Sequence, residues 1–77
     1  MEVEKELKSD NQFFEKNREK LIERYGLGKY ITIYNKNIVS VGESYGESAM
    51  KAYEIIGAKP CITRKCVPPE QEVYELL

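Results

Sequence analysis

The sequence predicts one small α+β domain with the element order α-β-β-α-β, in which three strands form one sheet and the helices pack on one of its faces. Two segments have apolar residues at helical spacing, and each ends at a glycine. Three short runs rich in β-branched and aromatic residues lie outside these segments and are bounded by turn residues. The chain has 77 residues, which is enough for a single hydrophobic core and too short for a second domain.

The first helix is predicted from Ser9 to Arg24. Ser9 followed by Gln12 fits a capping box, in which each side chain satisfies a free backbone N–H at the helix start. Gly26 and Gly28 are expected to end the helix, since glycine adopts left-handed backbone angles without strain. Residues 1–8 are expected to form a frayed N-terminal segment, because Ser, Asp and Asn in succession are more typical of a helix start than of a helix interior.

The three strands are predicted at residues 29–35, 38–41 and 61–67. The turn between the first two is assigned to residues 35–37, since asparagine tolerates positive φ better than other non-glycine residues. A right-handed crossover through the second helix makes the third strand parallel to the second, which gives the sheet order 2-1-3. The other face of the sheet would carry Tyr and Thr side chains, and whether it is open is left undecided.

The second helix is predicted to begin after Ser44, which forms a capping box with Glu47, and to end at Gly57. An apolar stripe follows the helical period, which is typical of a core-facing side. Its members are Tyr45, Ala49, Ala52, Tyr53 and Ile56. The domain is therefore assigned to residues 9–67, and residues 68–77 form an acidic-apolar C-terminal tail, either a short helix or a strand-like segment.

Composition argues against several classes of function. With 12 basic and 13 acidic side chains the net charge is −1, whereas nucleic-acid binding normally needs a basic face. No apolar run approaches the about 20 residues of a membrane span, and no signal peptide is recognised, so a cytoplasmic protein without membrane contact is expected. Cys61 and Cys66 are expected to be free thiols, because on one strand they lie about 16 Å apart, too far for a disulfide.

No enzyme site, metal or cofactor is predicted. The chain has no histidine, so neither cysteine has the usual base that would make it a nucleophile, and a zinc site would lack its commonest nitrogen ligand. Two functions stay open as alternatives to the protein-binding module that the residues predict. One is a sensor of small anionic metabolites that uses residues 42–46 and the cationic residues 59–65; the other, an enzyme that depends on Cys66, is disfavoured by the missing base.

The function predicted from the residues is a non-enzymatic protein-binding module, such as an adaptor, an inhibitor or an antitoxin-like protein. The six tyrosines are the main reason, because aromatic residues are enriched at binding surfaces. The partner is either another protein or a second copy of the chain. The candidate partner-binding residues are Tyr30, Tyr34, Arg64 and Tyr74.

The chain also resembles a family of short prokaryotic proteins of unknown function. In that family a helix leads into a "gKY-x-x-I" segment, a short hairpin, an alanine-bearing helix and a strand that often ends in cysteine before a proline or glycine. The residues that carry the resemblance are Phe14–Asn17, Leu21, Tyr25, Gly28–Ile31, Ile38, Val39, Gly42, Ala52, Gly57, Ile62, Cys66, Pro69, Glu70 and Tyr74.

The chain departs from this pattern at Gly26-Leu27, which lengthens the first loop, and at Lys59-Pro60-Cys61. The resemblance implies an intracellular α+β domain with no known catalytic residue. Members are often encoded near retropepsin-like aspartic proteases, which suggests that such a protease is their partner or target.

Overall fold

The computed structural model describes the backbone of residues 2–71 and the side chains of residues 7–71. Two α-helices and three strands alternate in the predicted order α-β-β-α-β, and a short 3-10 helix follows. Their bounds are α1 Glu2–Tyr25, β1 Tyr30–Tyr34, β2 Asn37–Gly42, α2 Tyr45–Ile56, β3 Ile62–Lys65 and the 3-10 helix Pro69–Gln71. The predicted α+β class is confirmed.

The three strands form one sheet in the order β2-β1-β3. β1 is antiparallel to both neighbours, so β2 and β3 are parallel to each other, as the crossover rule predicted. Thr32 pairs with Ser40 and Ile33 pairs with Ile38, which leaves Val39 as an extra residue in a β-bulge.

The helices lie on opposite faces of this sheet, which corrects the prediction that both pack on one face. Side chains alternate along β1, so Ile31 and Ile33 point to one side and Thr32 to the other. The two isoleucines join Phe14 and Leu21 of α1 in the hydrophobic core. The Thr32 hydroxyl lies 2.8 Å from that of Ser48 in α2. Hydrophobic periodicity missed this second contact because it is made by small polar side chains.

The helix α1 begins at Glu2, well before the predicted start at Ser9, so residues 2–8 are helical rather than frayed. The supposed start residues are used in tertiary contacts. The buried Asp10 carboxylate accepts hydrogen bonds from the backbone N–H groups of Asn35 at 3.2 Å and Lys36 at 2.8 Å. The side-chain oxygen of Asn11 accepts one from Arg64 at 2.8 Å. These partners are distant in sequence, so a local signature was misread as a cap.

The limits of α2 agree with the prediction. The Ser44 hydroxyl accepts a hydrogen bond from the Glu47 N–H at 3.1 Å, and Gly57 ends the helix with φ at 74°. Both signals are local, and the sequence shows them fully.

The chain after β3 turns back toward α1. The guanidinium of Arg18 donates a hydrogen bond of 2.7 Å to the carbonyl of Val67, and both residues are buried. Residues 72–77 of the predicted tail, including Tyr74, lie outside the described residues.

Candidate functional site

The two cysteines do not offer an activated nucleophile. Cys66 is fully buried in the core beside Phe14, where no substrate reaches its thiol. Cys61 is partly buried, and burial, followed by the nearby charge of Asp10, raises the pKa of its thiol. Because the thiolate is the reactive form, a raised pKa lowers the reactivity of Cys61 at neutral pH.

The loop at residues 42–46 is a self-capped helix start. The backbone N–H of Glu43 donates to the Glu47 carboxylate at 3.2 Å, and the Glu43 carboxylate is itself bound by Lys29. A hydrogen bond from Lys51 is the main cause that lowers the pKa of Glu47, so this carboxylate is ionised at neutral pH. Two negative side chains therefore stand where an anionic metabolite would have to bind.

Two depressions in the described surface lie along α1, away from this loop. One, of about 380 Å³, is lined by Ser9, Gln12, Phe13, Lys16, Asn17 and Lys36. The other, of about 350 Å³, is lined by Glu15, Lys16, Arg18, Glu19, Lys20 and Pro69. Neither includes any residue of the segments 42–46 and 59–65 that the metabolite hypothesis used. Within the described part of the chain no group of three potential metal ligands is present either.

Tyr30 and Tyr34 lie on the face of the sheet that α2 covers, but they do not form one continuous surface. Thr32 lies between them, buried under α2. The Tyr30 ring packs edge-on against Tyr45, with 6.5 Å between ring centroids. Tyr30 and Tyr34 therefore lie on either side of the contact between Thr32 and α2.

A lysine lies over each of these two rings. The ammonium of Lys65 is 5.7 Å from the Tyr30 ring centroid, and that of Lys59 is 5.6 Å from the Tyr34 ring centroid. Cations over tyrosine faces are attracted by the ring quadrupole. These contacts place two positive charges along the β3 side of the sheet.

Arg64 lies on the opposite face, under α1, so the structure does not bring it together with Tyr30 and Tyr34. Its guanidinium donates to Glu15 at 2.8 Å and stacks 4.4 Å from the Phe14 ring centroid. Arg18 stacks on the same ring at 4.7 Å and also binds Glu15. The Arg64 side chain is only 12% exposed. It links α1 to β3, which is a structural position.

Four large apolar side chains of α2 are exposed, which the sequence did not reveal. Tyr45, Met50 and Tyr53 are 60%, 66% and 63% exposed, and Ile55 is 65% exposed. The periodicity had placed the two tyrosines toward the core, whereas the buried side is centred on Ser48 and Ala52. Two small residues four apart, opposite larger apolar ones, are the signal that could have shown this.

The exposed tyrosines of α2 lie on its β3 side. On the other flank, the ammonium of Lys51 reaches across to the carbonyl of Val41 in β2, at 3.1 Å. Residues of an α-helix are 100° apart in projection, so Ala49 and Tyr53 lie on the flank opposite Lys51. We call this region the α2–β3 surface and define it by seven residues. They are Tyr45, Ala49 and Tyr53 of α2, Met50 on the adjoining outward side of the helix, Tyr30 of β1, and Thr63 and Lys65 of β3.

The outer edge of β3 borders this surface, and no strand within residues 2–71 pairs with it. The Cys66 N–H donates to the Lys29 carbonyl at 2.7 Å. Hydrogen-bonded and non-hydrogen-bonded positions alternate along an antiparallel pair, so the backbone of Arg64 bonds to β1. The N–H and C=O groups of Thr63 and Lys65 therefore point outward, away from β1. Val67 donates its N–H to the Lys65 carbonyl at 3.0 Å. The N–H and C=O of Thr63 have no backbone partner in the described part of the chain. At the other sheet edge, Lys51 covers the carbonyl of Val41.

Comparison with protein-family models, curated proteins and solved structures finds no match to this chain. The resemblance to the prokaryotic family of unknown function therefore stays a prediction. Among the described helices, none is long and apolar enough to cross a membrane.

Proposed function

We propose that the chain is a non-enzymatic protein-binding module of the cytoplasm whose partner docks on the α2–β3 surface. The observation that carries the proposal is the exposure of Tyr45, Met50 and Tyr53, each by 60% or more, along one helix and next to a strand edge that no described strand covers. Exposed large apolar side chains that lie together mark interaction sites more often than isolated ones do. Tyrosine is also among the residues most enriched at the energetic centres of protein interfaces.

Folding leaves much of the apolar surface of these three side chains exposed to water, and a partner can bury it. Burying an apolar side chain of this size contributes about 1.5–3 kcal/mol when it goes from full exposure to full burial. These three are already partly covered, so each would add about 1–2 kcal/mol on docking. A partner that covers all three thus gains enough to offset part of the entropy lost on association.

The resemblance suggests which partner to test first. A retropepsin-like aspartic protease is the natural candidate, with the chain acting as its adaptor or inhibitor. Self-association through the same surface is the other candidate, since a small domain gains stability by burying more apolar area.

The test compares three single variants of the tagged chain in capture of partners from lysate. We expect the stoichiometric partner of the wild type to be lost or strongly reduced with Tyr45→Ala and with Tyr53→Ala. Ile55→Ala is the matched control, because Ile55 is 65% exposed on the same helix but lies on its β2 side. It should retain the partner.

Circular dichroism and thermal unfolding of each variant establish that it is folded before capture is compared. Capture that is unchanged with both tyrosine variants would contradict the proposed surface. Equal loss with Ile55→Ala would contradict its assignment to the β3 flank.

A further inference from the structure

We propose that the partner contributes an extended acidic segment that adds to the outer edge of β3 as a fourth strand, with its carboxylates meeting Lys59 and Lys65. This inference rests on the proposed function and specifies the chemistry of the partner. Three features of the described residues carry it: an open strand edge, two lysines without a carboxylate partner, and an apolar helix flank beside them.

The strand edge offers unused main-chain groups. Thr63 turns both its N–H and its C=O away from β1, and Lys65 turns its N–H away. An extended peptide can pair with such groups by β-augmentation, in which main-chain hydrogen bonds give affinity and alternate side chains give specificity. The strand β2 is less suited to this, because its edge carries the bulge at Val39 and the contact of Lys51 with Val41.

The charges at this edge select an acidic partner. On the α2 side of the sheet, Lys29 and Lys51 are neutralised by ion pairs with Glu43 and Glu47. Lys59 and Lys65 form no ion pair with any carboxylate in residues 7–71, and both stand over tyrosine rings. Opposite charges across an interface favour encounter and fix register.

The spacing sets the length of the segment. Lys59 precedes β3 by three residues and Lys65 is the last residue of the strand, so the two lysines are separated by at most about 20 Å of extended chain. A segment of up to about seven residues with a carboxylate at each end therefore reaches both lysines. Its middle residues on the same face would meet Ala49 and Tyr53 of the helix flank, so they should be apolar.

A second copy of the chain fits this edge less well. Antiparallel pairing of two β3 strands about Thr63 brings Lys65 of each copy near Lys59 of the other on one face. Like charges in adjacent cross-strand positions destabilise a sheet. Lysine on an edge strand is also a usual device against self-pairing. The same lysines attract a segment that carries carboxylates.

The test uses the full chain, labelled with ¹⁵N, and a synthetic peptide of the sequence Glu-Thr-Val-Thr-Val-Thr-Glu with blocked ends. We expect saturable shifts of the Thr63 and Lys65 amide signals. The matched probe has Lys in place of both Glu, and we expect it to cause no such shifts. Combined Lys59→Ala and Lys65→Ala should weaken binding of the acidic peptide by about three- to tenfold, the range expected for two exposed ion pairs.

Three outcomes would overturn the inference. One is the absence of shifts at these two amides, and a second is an equal response to the Lys-containing peptide. The third is a dependence of the same signals on protein concentration without peptide, which would identify a second copy as the occupant.

Failure here is distinguishable from failure of the proposed function. Lysate capture with combined Lys59→Glu and Lys65→Glu separates the two. If capture needs Tyr53 but is unaffected by charge reversal, the binding surface stands and the acidic strand is wrong. If charge reversal abolishes capture and the variant is folded, the acidic strand is supported.

Discussion

Asp10 shows how a single side chain can belong to a helix and yet serve a distant turn. Its carboxylate, 1% exposed, binds the backbone N–H groups of Asn35 and Lys36. Both turn residues have positive φ, at 49° and 61°, as a two-residue type I′ hairpin turn requires. Asparagine adopts this conformation readily, whereas lysine does not, and Asp10 helps to hold the turn in place.

Replacing Lys36 with glycine should therefore stabilise the protein. The left-handed conformation costs a residue with a Cβ about 1–2 kcal/mol, and glycine avoids this penalty. We expect Lys36→Gly to raise the free energy of unfolding by about 1 kcal/mol in urea titration. Lys36→Ala, which keeps the strain and removes only an exposed side chain, should stay within about 0.5 kcal/mol of the wild type. A destabilised glycine variant would contradict this account of the turn.

Glu15 gives the protein a pH dependence. The hydrogen bond from Arg18 is the first cause that lowers its pKa below the ordinary value of 4.5, and the hydrogen bond from Arg64 adds to it against the effect of burial. A lowered pKa means that the folded state binds this proton less well than the unfolded state does. The stabilisation from Glu15 is therefore present above its unfolded pKa and is lost as the pH falls through its lower folded pKa.

Comparison with Glu15→Gln measures this contribution. We expect the wild type to be more stable than the variant at pH 7 by about 0.5–1 kcal/mol, a modest value because the Glu15 side chain is half exposed. The difference should shrink as the pH falls below 4.5, the ordinary value. Urea unfolding across this range provides the measurement. A difference that does not change with pH would mean that the ion pairs with Arg18 and Arg64 do not stabilise the fold.

At the scale of elements, α2 docks on the sheet through a cluster of hydroxyl groups. The Thr32 hydroxyl contacts those of Ser48 and Thr63, both at 2.8 Å, and the Ser40 hydroxyl donates to the Ser48 carbonyl at 2.7 Å. Thr32 and Ser48 are fully buried. Each buried hydroxyl has a partner, which is the condition under which a polar contact is not costly.

Gly42 allows this close approach. A Cβ at this position would lie 2.6 Å from the Ser48 backbone nitrogen, closer than real side chains come. We therefore expect Gly42→Ala to destabilise the protein by about 1–3 kcal/mol, the usual cost of overpacking. Gly46→Ala is the matched control, since nothing lies within 4 Å of its added Cβ. It should stabilise α2 by up to about 1 kcal/mol, and urea titrations of both variants decide the matter.

Arg64 and Lys65 are neighbours on β3 that face opposite layers, and they should respond differently to substitution. Arg64→Met removes charged hydrogen bonds to Asn11 and Glu15, so we expect a loss of about 1.5–3 kcal/mol of stability. Lys65→Met removes a charge that has no carboxylate partner among residues 7–71 and should change stability by less than about 0.5 kcal/mol. Equal effects in thermal or urea unfolding would show that Arg64 is not the link between α1 and β3.

These elements also show what the sequence can and cannot predict. The ends of α2 were predicted because each end is fixed by residues within one helical turn, Ser44 and Glu47 at the start and Gly57 at the end. The buried side of α2 was not predicted, because it is set by contacts of small helix residues with Thr32 and Ser40, which belong to other elements. The same limit explains why the exposure of Tyr45 and Tyr53 was missed.

The whole molecule is a three-layer arrangement of helix, sheet and helix, and its two outer layers differ in chemistry. The described exposed surface of α1 is charged, with acidic and basic side chains interleaved. The surface of α2 exposes Tyr45, Met50 and Tyr53 beside the edge of β3 that is unpaired within residues 2–71. With a net charge of −1, the chain has little overall field to attract a partner, so recognition has to depend on this local surface.

Hydrogen exchange of the full chain, alone and with its captured partner, tests this central claim most directly. We predict that the complex slows exchange of the outward amides of β3, Thr63 and Lys65, and of residues 45–53 of α2, while α1 is unchanged. The Thr63 and Lys65 amides are the sharpest reporters, because they have no backbone partner among residues 2–71 and would gain one from an added strand. Protection confined to α1, with these two amides unaffected, would contradict the account.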